Sequence, residues 1–244
     1  MRNIKLKLAY DGTNYHGWQV QKNAVTIQQK LQDSLEVVFK NRPDVVGCSR
    51  TDAGVHANEF VVNFKTDSNI PCHNLIRAIN AYLPQDIGVF DCSEVDLSFH
   101  ARYNATGKEY IYKIYNNDTR DPFLNRYSLF YPYKLNIDLM NEAAAFLLGT
   151  HDFYSFCAAD SHVKDTTRTL GLLNVTRSDN IVILKVHGNG FLYNMVRILT
   201  GTLLYVAQGK ISPQDIPEIL QSRDRTKAGP TVPPNGLFLN KVFY

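Results

Sequence analysis

Ile4, Leu6, Leu8 and Tyr10 alternate with charged Lys5 and Lys7, and this two-residue period constrains the chain more than any other feature. Successive side chains of a strand point to opposite faces, so the segment has one apolar and one charged face. That is a half-buried antiparallel strand. The period returns over Lys108–Tyr115, where Tyr110, Tyr112 and Ile114 alternate with Ile111, Lys113 and Tyr115. Between such runs lie stripes at helical spacing. Ile27, Leu31, Leu35 and Val38 form one, and Thr26 stands before it at capping-box distance from Gln29. Half-buried strands interleaved with amphipathic helices predict an α+β fold, its strands mostly antiparallel.

The remaining elements follow from the same patterns. Strands are expected at Val45–Arg50, Phe60–Lys65 and Gly88–Cys92, with a helix from Pro71 through Leu75, Ile79 and Leu83. Pro71 suits a first helical position. The second half predicts a helix at Leu139–Leu148, strands at Leu170–Thr176 and Ile181–Val186, and a helix at Leu192–Ala207. Ser212-Pro213-Gln214-Asp215 reads as a cap opening a short helix to Leu220, and Leu237–Phe243 as a last strand. Residues 223–235, with three of the ten prolines, read as a loop. Both halves thus run strand, helix, strand, strand, helix, strand, which predicts two α+β domains, 1–102 and 103–244.

Composition excludes several classes. The 244 residues are 44% hydrophobic and 20% charged, unlike a disordered or collagen-like chain. No run approaches the ~18–20 apolar residues of a membrane span. The start alternates charge and apolar residues instead of forming a signal peptide, so a cytoplasmic protein without a membrane partner is expected. Cys48, Cys72, Cys92 and Cys157 form no C-x-x-C pair and have no histidine at zinc-ligand spacing. Free, mostly buried thiols are expected. The seven histidines (16, 56, 73, 100, 151, 162 and 187) are scattered, which speaks against a metal site. Net charge is +3, with 11 basic and 11 acidic residues in 1–102, and 15 against 12 in 103–244. Any basic surface must therefore be built locally.

Three segments could carry chemistry. Gly47–Ala57 (GCSRTDAGVHA) places Arg50, Asp52 and His56 in a glycine-bearing loop after a short apolar strand. Asp52 there either caps a turn, with Arg50 and His56 solvated, or is a carboxylate kept ionised beside an arginine as nucleophile or base. Gly188–Arg197 (GNGFLYNMVR) runs from strand into helix without the third glycine of a dinucleotide fingerprint. Arg197 stands alone among Met195, Val196, Ile198 and Leu199. It is either a surface arginine or a buried one that needs a carboxylate such as Asp52. Finally, Phe99–Arg102 and Lys108–Tyr112 interleave basic and aromatic residues, as an ordinary half-exposed strand or as one presenting Tyr110 to a base. P-loop, H-E-x-x-H and G-x-S-x-G motifs are absent from the sequence.

GCSRTDAGVHA, KEYIY and FLYNMVRILTG together resemble the tRNA pseudouridine synthase A family, and the resemblance covers nearly the whole chain. Tyr10-Asp11-Gly12, Gly17–Gln21, Phe99–Arg102, Gly149–Phe153 and Gly236–Leu239 also fit, while Cys48 and Lys108 depart mildly from the family's usual Ala and Arg. Lysine cannot fork onto a phosphate as arginine does. The resemblance implies an isomerase without metal or organic cofactor. It would detach uracil from a tRNA uridine, turn it and rejoin it through C5, at uridines 38, 39 and 40 of the anticodon stem-loop. It implies that Asp52 is the catalytic aspartate, that Tyr110 packs on the target base, that Arg197 pairs with Asp52, and that Arg50 helps displace the base. Arg102, Lys108, Arg126 and Arg168 are expected to join Arg50 and Tyr110 in binding RNA. The implied architecture is two α+β domains with sheets joined across a basic cleft, helices outside, working as a homodimer.

Two other readings compete. A catalytically silent RNA-binding module of RRM layout would need an aromatic RNP1 segment, which the sequence lacks. A two-carboxylate glycoside hydrolase needs a second acid, and only Glu59, in a strand-like run, is near Asp52 in sequence.

Overall fold

Strand β1 (Arg2–Tyr10) lies between β3 (His56–Thr66) and β4 (Ile87–Val95) and is antiparallel to both. Ile4, Leu6 and Leu8 are fully buried, as their alternation requires. Helix α1 (Ile27–Phe39) begins where Thr26 accepts the Gln29 N–H at 3.4 Å. It buries Ile27, Leu31 and Leu35, and α2 (Cys72–Asn80) buries Leu75 and Ile79. Each such side chain contributes about 1.5–3 kcal/mol of transfer free energy. The computed structural model describes residues 1–158 and 163–244. It divides the chain into two units, Met1–Thr106 with Phe238–Tyr244, and Gly107–Leu237.

The first unit is completed by β2 (Val46–Gly47), antiparallel on β3, and by β10 (Leu237–Phe243), parallel on β3 through Phe238 opposite His56 and Leu239 opposite Ala57. A division at 102/103 in chain order leaves this last strand with the second half, whereas in the fold it sits with the first. Several contacts hold it there. Asn58 donates to Asn240 at 2.8 Å, the Tyr244 hydroxyl to the Ala101 carbonyl at 2.7 Å, and the Thr106 N–H to the Phe243 carbonyl at 2.9 Å.

The second unit carries an antiparallel run of β5 (Gly107–Asn116), β9 (Ile181–Gly188), β8 (Thr167–Ser178) and β7 (Gly149–Asp152), with β6 (Leu129–Tyr131) parallel on β5. Helices α3 (Ile137–Ala145), α4 (Met195–Ala207) and α5 (Ile216–Ser222) accompany it. The fold is α+β and the strand pairs are mostly antiparallel, as the alternation predicts. No helix among the described residues is long and apolar enough to cross a membrane.

Other differences from the sequence reading are local. Strand β2 is two residues long, because Cys48 onward leaves the ladder as a loop. Pro71 is the N-cap of α2, not its first helical residue. Helix α4 begins at Met195 instead of Leu192, after Asn194 takes a left-handed conformation (φ 59°). Strands β6 and β7 have three and four residues, too few to show a period. His162 lies outside the described residues.

Candidate active site

The Asp52 loop is fixed by the segment that follows β1. The Trp18 N–H donates to the Thr51 carbonyl at 3.2 Å, and the Gly54 N–H to the Tyr15 carbonyl at 3.2 Å. The hydroxyls of Tyr10 and Thr51 are 2.8 Å apart. The Val55 N–H closes a turn on the Asp52 carbonyl at 3.2 Å. Gly17 has φ +83°, and a Cβ there would lie 2.3 Å from the Thr51 carbonyl oxygen. Only glycine permits so close an approach in that conformation. Trp18 is anchored in turn, stacked on Phe60 with centroids 4.1 Å apart. The supporting segment is held from behind by Asp86, whose carboxylate accepts the Tyr15 hydroxyl at 2.5 Å and the Asn14 amide at 3.2 Å. Burial, then that carboxylate, push the Tyr15 phenol above its ordinary pKa.

The far end of the loop is anchored by His56, which is fully buried and not solvated. Its ring stacks on Phe238 at 4.6 Å. Its Nδ1 lies 3.1 Å from both the Gly12 N–H nitrogen and Asp11 Oδ1. A ring bare at Nδ1 accepts from Gly12, and a ring protonated there donates to Asp11. With both flanks fixed, half-buried Asp52 and exposed Arg50 stand on a backbone of defined shape.

In the second unit, register brings one end of three strands together. Lys108 and Leu170 both pair with Gly188, and Tyr110 pairs with Val186. Tyr110 is 6% exposed and meets Phe191 edge-on, with centroids 5.0 Å apart. The Gly188–Tyr193 turn is tied to β8: the Asn189 N–H donates to the Thr169 carbonyl at 3.1 Å, and the Thr169 N–H to Asn189 Oδ1 at 2.9 Å. Arg168, next to this turn, donates to the carbonyls of Asp165 and Thr167 at 3.1 and 2.6 Å.

Arg197 lies in the first turn of α4. Its Nε donates to the Val232 carbonyl at 2.7 Å and its Nη1 to Asn194 Oδ1 at 2.8 Å. Residues 228–232 cross α4 as a strap. A Cβ at Gly201 would lie 1.9 Å from the Pro230 carbonyl oxygen, and the Gly229 N–H donates to Thr202 Oγ1 at 2.9 Å. The Tyr112 hydroxyl donates to the Pro233 carbonyl at 2.7 Å. Burial raises the Tyr112 phenol above its ordinary pKa, and the Arg197 charge opposes part of that shift.

The tRNA pseudouridine synthase family model matches residues 8–104 and 143–244. The tRNA pseudouridine synthases A of Thermoanaerobacter sp. and of Clostridium acetobutylicum are each 48% identical over 244 residues, covering all of this chain and all of theirs. The chain belongs to the tRNA pseudouridine synthase A family. The same protein from Clostridium kluyveri is 49% identical over 245 residues at equally full coverage. A chain of the Cbf5-Nop10-Gar1 complex gives a TM-score of 0.36 and 13% identity over 82% of this chain and 53% of its own, too distant a likeness to bear on the fold.

As a member of the family the protein is an isomerase that forms pseudouridine in tRNA. Of the residues singled out in the sequence, Arg50, Asp52 and Arg102 belong to the first unit, and Lys108, Tyr110, Arg126, Arg168 and Arg197 to the second. Lys108, Tyr110 and Arg168 gather around Gly188–Phe191. Arg126 stands on the segment before β6, which pairs with Ile114–Asn116, and its guanidinium rides 5.8 Å from the Tyr127 ring centroid. Arg102 lies 5.8 Å from the Tyr103 ring centroid, and Tyr103 stacks on His100 at 4.2 Å. The reading of residues in isolation missed the supports: Gly17 and Trp18 under Thr51, Asp86 under Tyr15, and the strap that receives Arg197. Glycine in the interior of a helix, at Gly201, is the signal that marks the strap, since such a glycine costs about 1 kcal/mol unless a close approach needs it.

Proposed function

We propose that the protein isomerises uridines 38, 39 and 40 of the tRNA anticodon stem-loop, with the Asp52 carboxylate as nucleophile or base. The observation that supports this most is the fixed loop itself. The Arg50–Asp52 stretch of the family motif is held by the Gly17–Thr51 contact and by buried His56. An extruded uridine costs a few kcal/mol to unstack. Tyr110 offsets part of this by packing against the base. Arg197, already oriented by Val232 and Asn194, pairs with Asp52 and keeps its charge. Arg50, Arg102, Lys108, Arg126 and Arg168 contact RNA, and the two halves, 1–102 and 103–244, contribute the aspartate and its partners respectively. The enzyme works as a cytoplasmic homodimer without metal or organic cofactor.

An unmodified tRNA transcript, incubated with the protein and chemically mapped for pseudouridine, tests the assignment. Modification confined to positions 38–40 is expected. Pseudouridine elsewhere overturns the target, and free uracil with an abasic site would turn the reading to a glycoside hydrolase.

A further inference from the structure

We infer that Cys72 and Cys92 form a site of reversible disulfide formation, linking the first turn of α2 to β4 when the protein meets a hydroperoxide. Cys92 stands opposite Leu6, and Glu94 opposite Ile4, so both side chains share the face carried by buried Ile4 and Leu6. Arg2 holds the start of α2 against that face. Its Nε bonds Glu94 Oε2 at 2.8 Å, its Nη1 bonds the Ser68 and Ile70 carbonyls at 2.9 and 3.1 Å, and its Nη2 lies 3.9 Å from Cys72 Sγ.

The two thiols lie close enough to each other and to the Arg2 guanidinium to feel one another's charge, and both cysteines are half-buried, whereas Cys48 and Cys157 are buried. Burial, then the neighbouring Cys72 thiol, push the Cys92 thiol up to about 12. The Arg2 guanidinium, with Nη2 3.9 Å from Cys72 Sγ, favours negative charge on that sulfur, so Cys72 is the one that attacks.

The reaction balances without a metal. The Cys72 sulfur attacks one peroxide oxygen and the O–O bond breaks, giving a Cys72 sulfenic acid and an alcohol, or water from hydrogen peroxide itself. The Cys92 sulfur then displaces the sulfenic oxygen, which leaves as water with the Cys92 proton. The thiol pair loses two electrons and the peroxide gains them. A dithiol reductant reverses the bond by exchange.

The closed ring contains Asp86. That residue holds Tyr15 and Asn14, and its carbonyl accepts the Asp11 N–H at 2.9 Å. Oxidation thus ties down the support beneath the Asp52 loop.

The test treats the full chain with hydrogen peroxide, denatures it in a maleimide and maps the peptides. Reduced protein is expected to label at all four cysteines. Oxidised protein is expected to label at Cys48 and Cys157 only, with a Cys72–Cys92 cross-linked peptide and a melting midpoint higher by about 5–10 °C. Cys92→Ser should leave a Cys72 sulfenic acid that dimedone traps, and Cys72→Ser should leave Cys92 unmodified. Full labelling after peroxide, a cross-link through Cys48 or Cys157, or sulfenic acid on Cys92 in Cys72→Ser would overturn the assignment.

Discussion

The backbone of Gly17 runs against the carbonyl of Thr51 so closely that a Cβ would come within 2.3 Å of its oxygen. Gly17→Ala must therefore move the loop that carries Asp52, besides placing alanine at φ +83°. The left-handed backbone alone costs about 1–2 kcal/mol. Displacing a catalytic group by about 1 Å costs ~100-fold in rate. Pseudouridine formation should fall by about that factor while the protein still melts cooperatively. Unchanged turnover would show that the loop does not depend on this contact.

Asp52→Asn should abolish pseudouridine formation and leave tRNA affinity unchanged or slightly stronger. Asparagine keeps the shape but supplies neither nucleophile nor base. It also removes a negative charge from a surface that meets a polyanion. Paired measurements of tRNA binding and product formation on a sample with a verified melting curve check both halves of the expectation. Product at the wild-type rate would refute the proposed chemistry.

Arg197→Ala removes hydrogen bonds to Val232 and Asn194. Bonds from a charged donor are worth about 1.5–3 kcal/mol each, so the strap over α4 should loosen and activity should fall more than RNA affinity. Arg197→Lys should recover only part, since one ammonium cannot reproduce the guanidinium's two directions. Hydrogen exchange over residues 228–232 would report the loosening directly, and wild-type exchange in the alanine variant would contradict it.

The fold and the site were legible to different degrees. Strands β1 and β9 and helix α1 show their period because each buries mainly one face and has eight or more residues in which to repeat it, whereas β5 buries Ile111 and Tyr115 on one face as well as Tyr110, Tyr112 and Ile114 on the other. Asp52 and Arg197 stood out as charge in unusual company. Tyr15, Trp18 and Asp86 did not, because their roles depend on contacts with residues more than thirty positions away. Buried His56 likewise looked like any loop histidine until its packing on Phe238 was known.

The tyrosines predict an alkaline transition. Burial raises the phenols of Tyr15, Tyr112 and Tyr244 in the fold. The unfolded chain releases those protons at about pH 10. The associated stability is intact below that pH and is lost as the pH rises toward the folded values. Tyr112→Phe should lower stability at neutral pH by about 1 kcal/mol through the lost bond to Pro233, yet flatten the decline above pH ~10. Denaturant titrations at pH 7 and pH 11 separate the two effects, and an equally steep decline in the variant would clear Tyr112 of the transition.

Binding of tRNA should weaken steeply with salt despite a net charge of only +3. Each phosphate neutralised by Arg50, Arg102, Lys108, Arg126 or Arg168 steepens the decline of log K with log salt by ~0.7–0.9. Removing one of these side chains should reduce the slope by about that amount. A flat titration would make them ordinary solvated surface.

The parallel seat of β10 on β3 has a consequence for synthesis. As the chain leaves the ribosome, β3 emerges with β2 on Val62 and Asn63 but with the His56–Ala57 stretch of that edge open, and the partner of that stretch is made about 180 residues later. Parallel, long-range pairing is slow to close and leaves an edge to which other chains can add. The unit that bears Asp52 is thus begun before the other and completed after it.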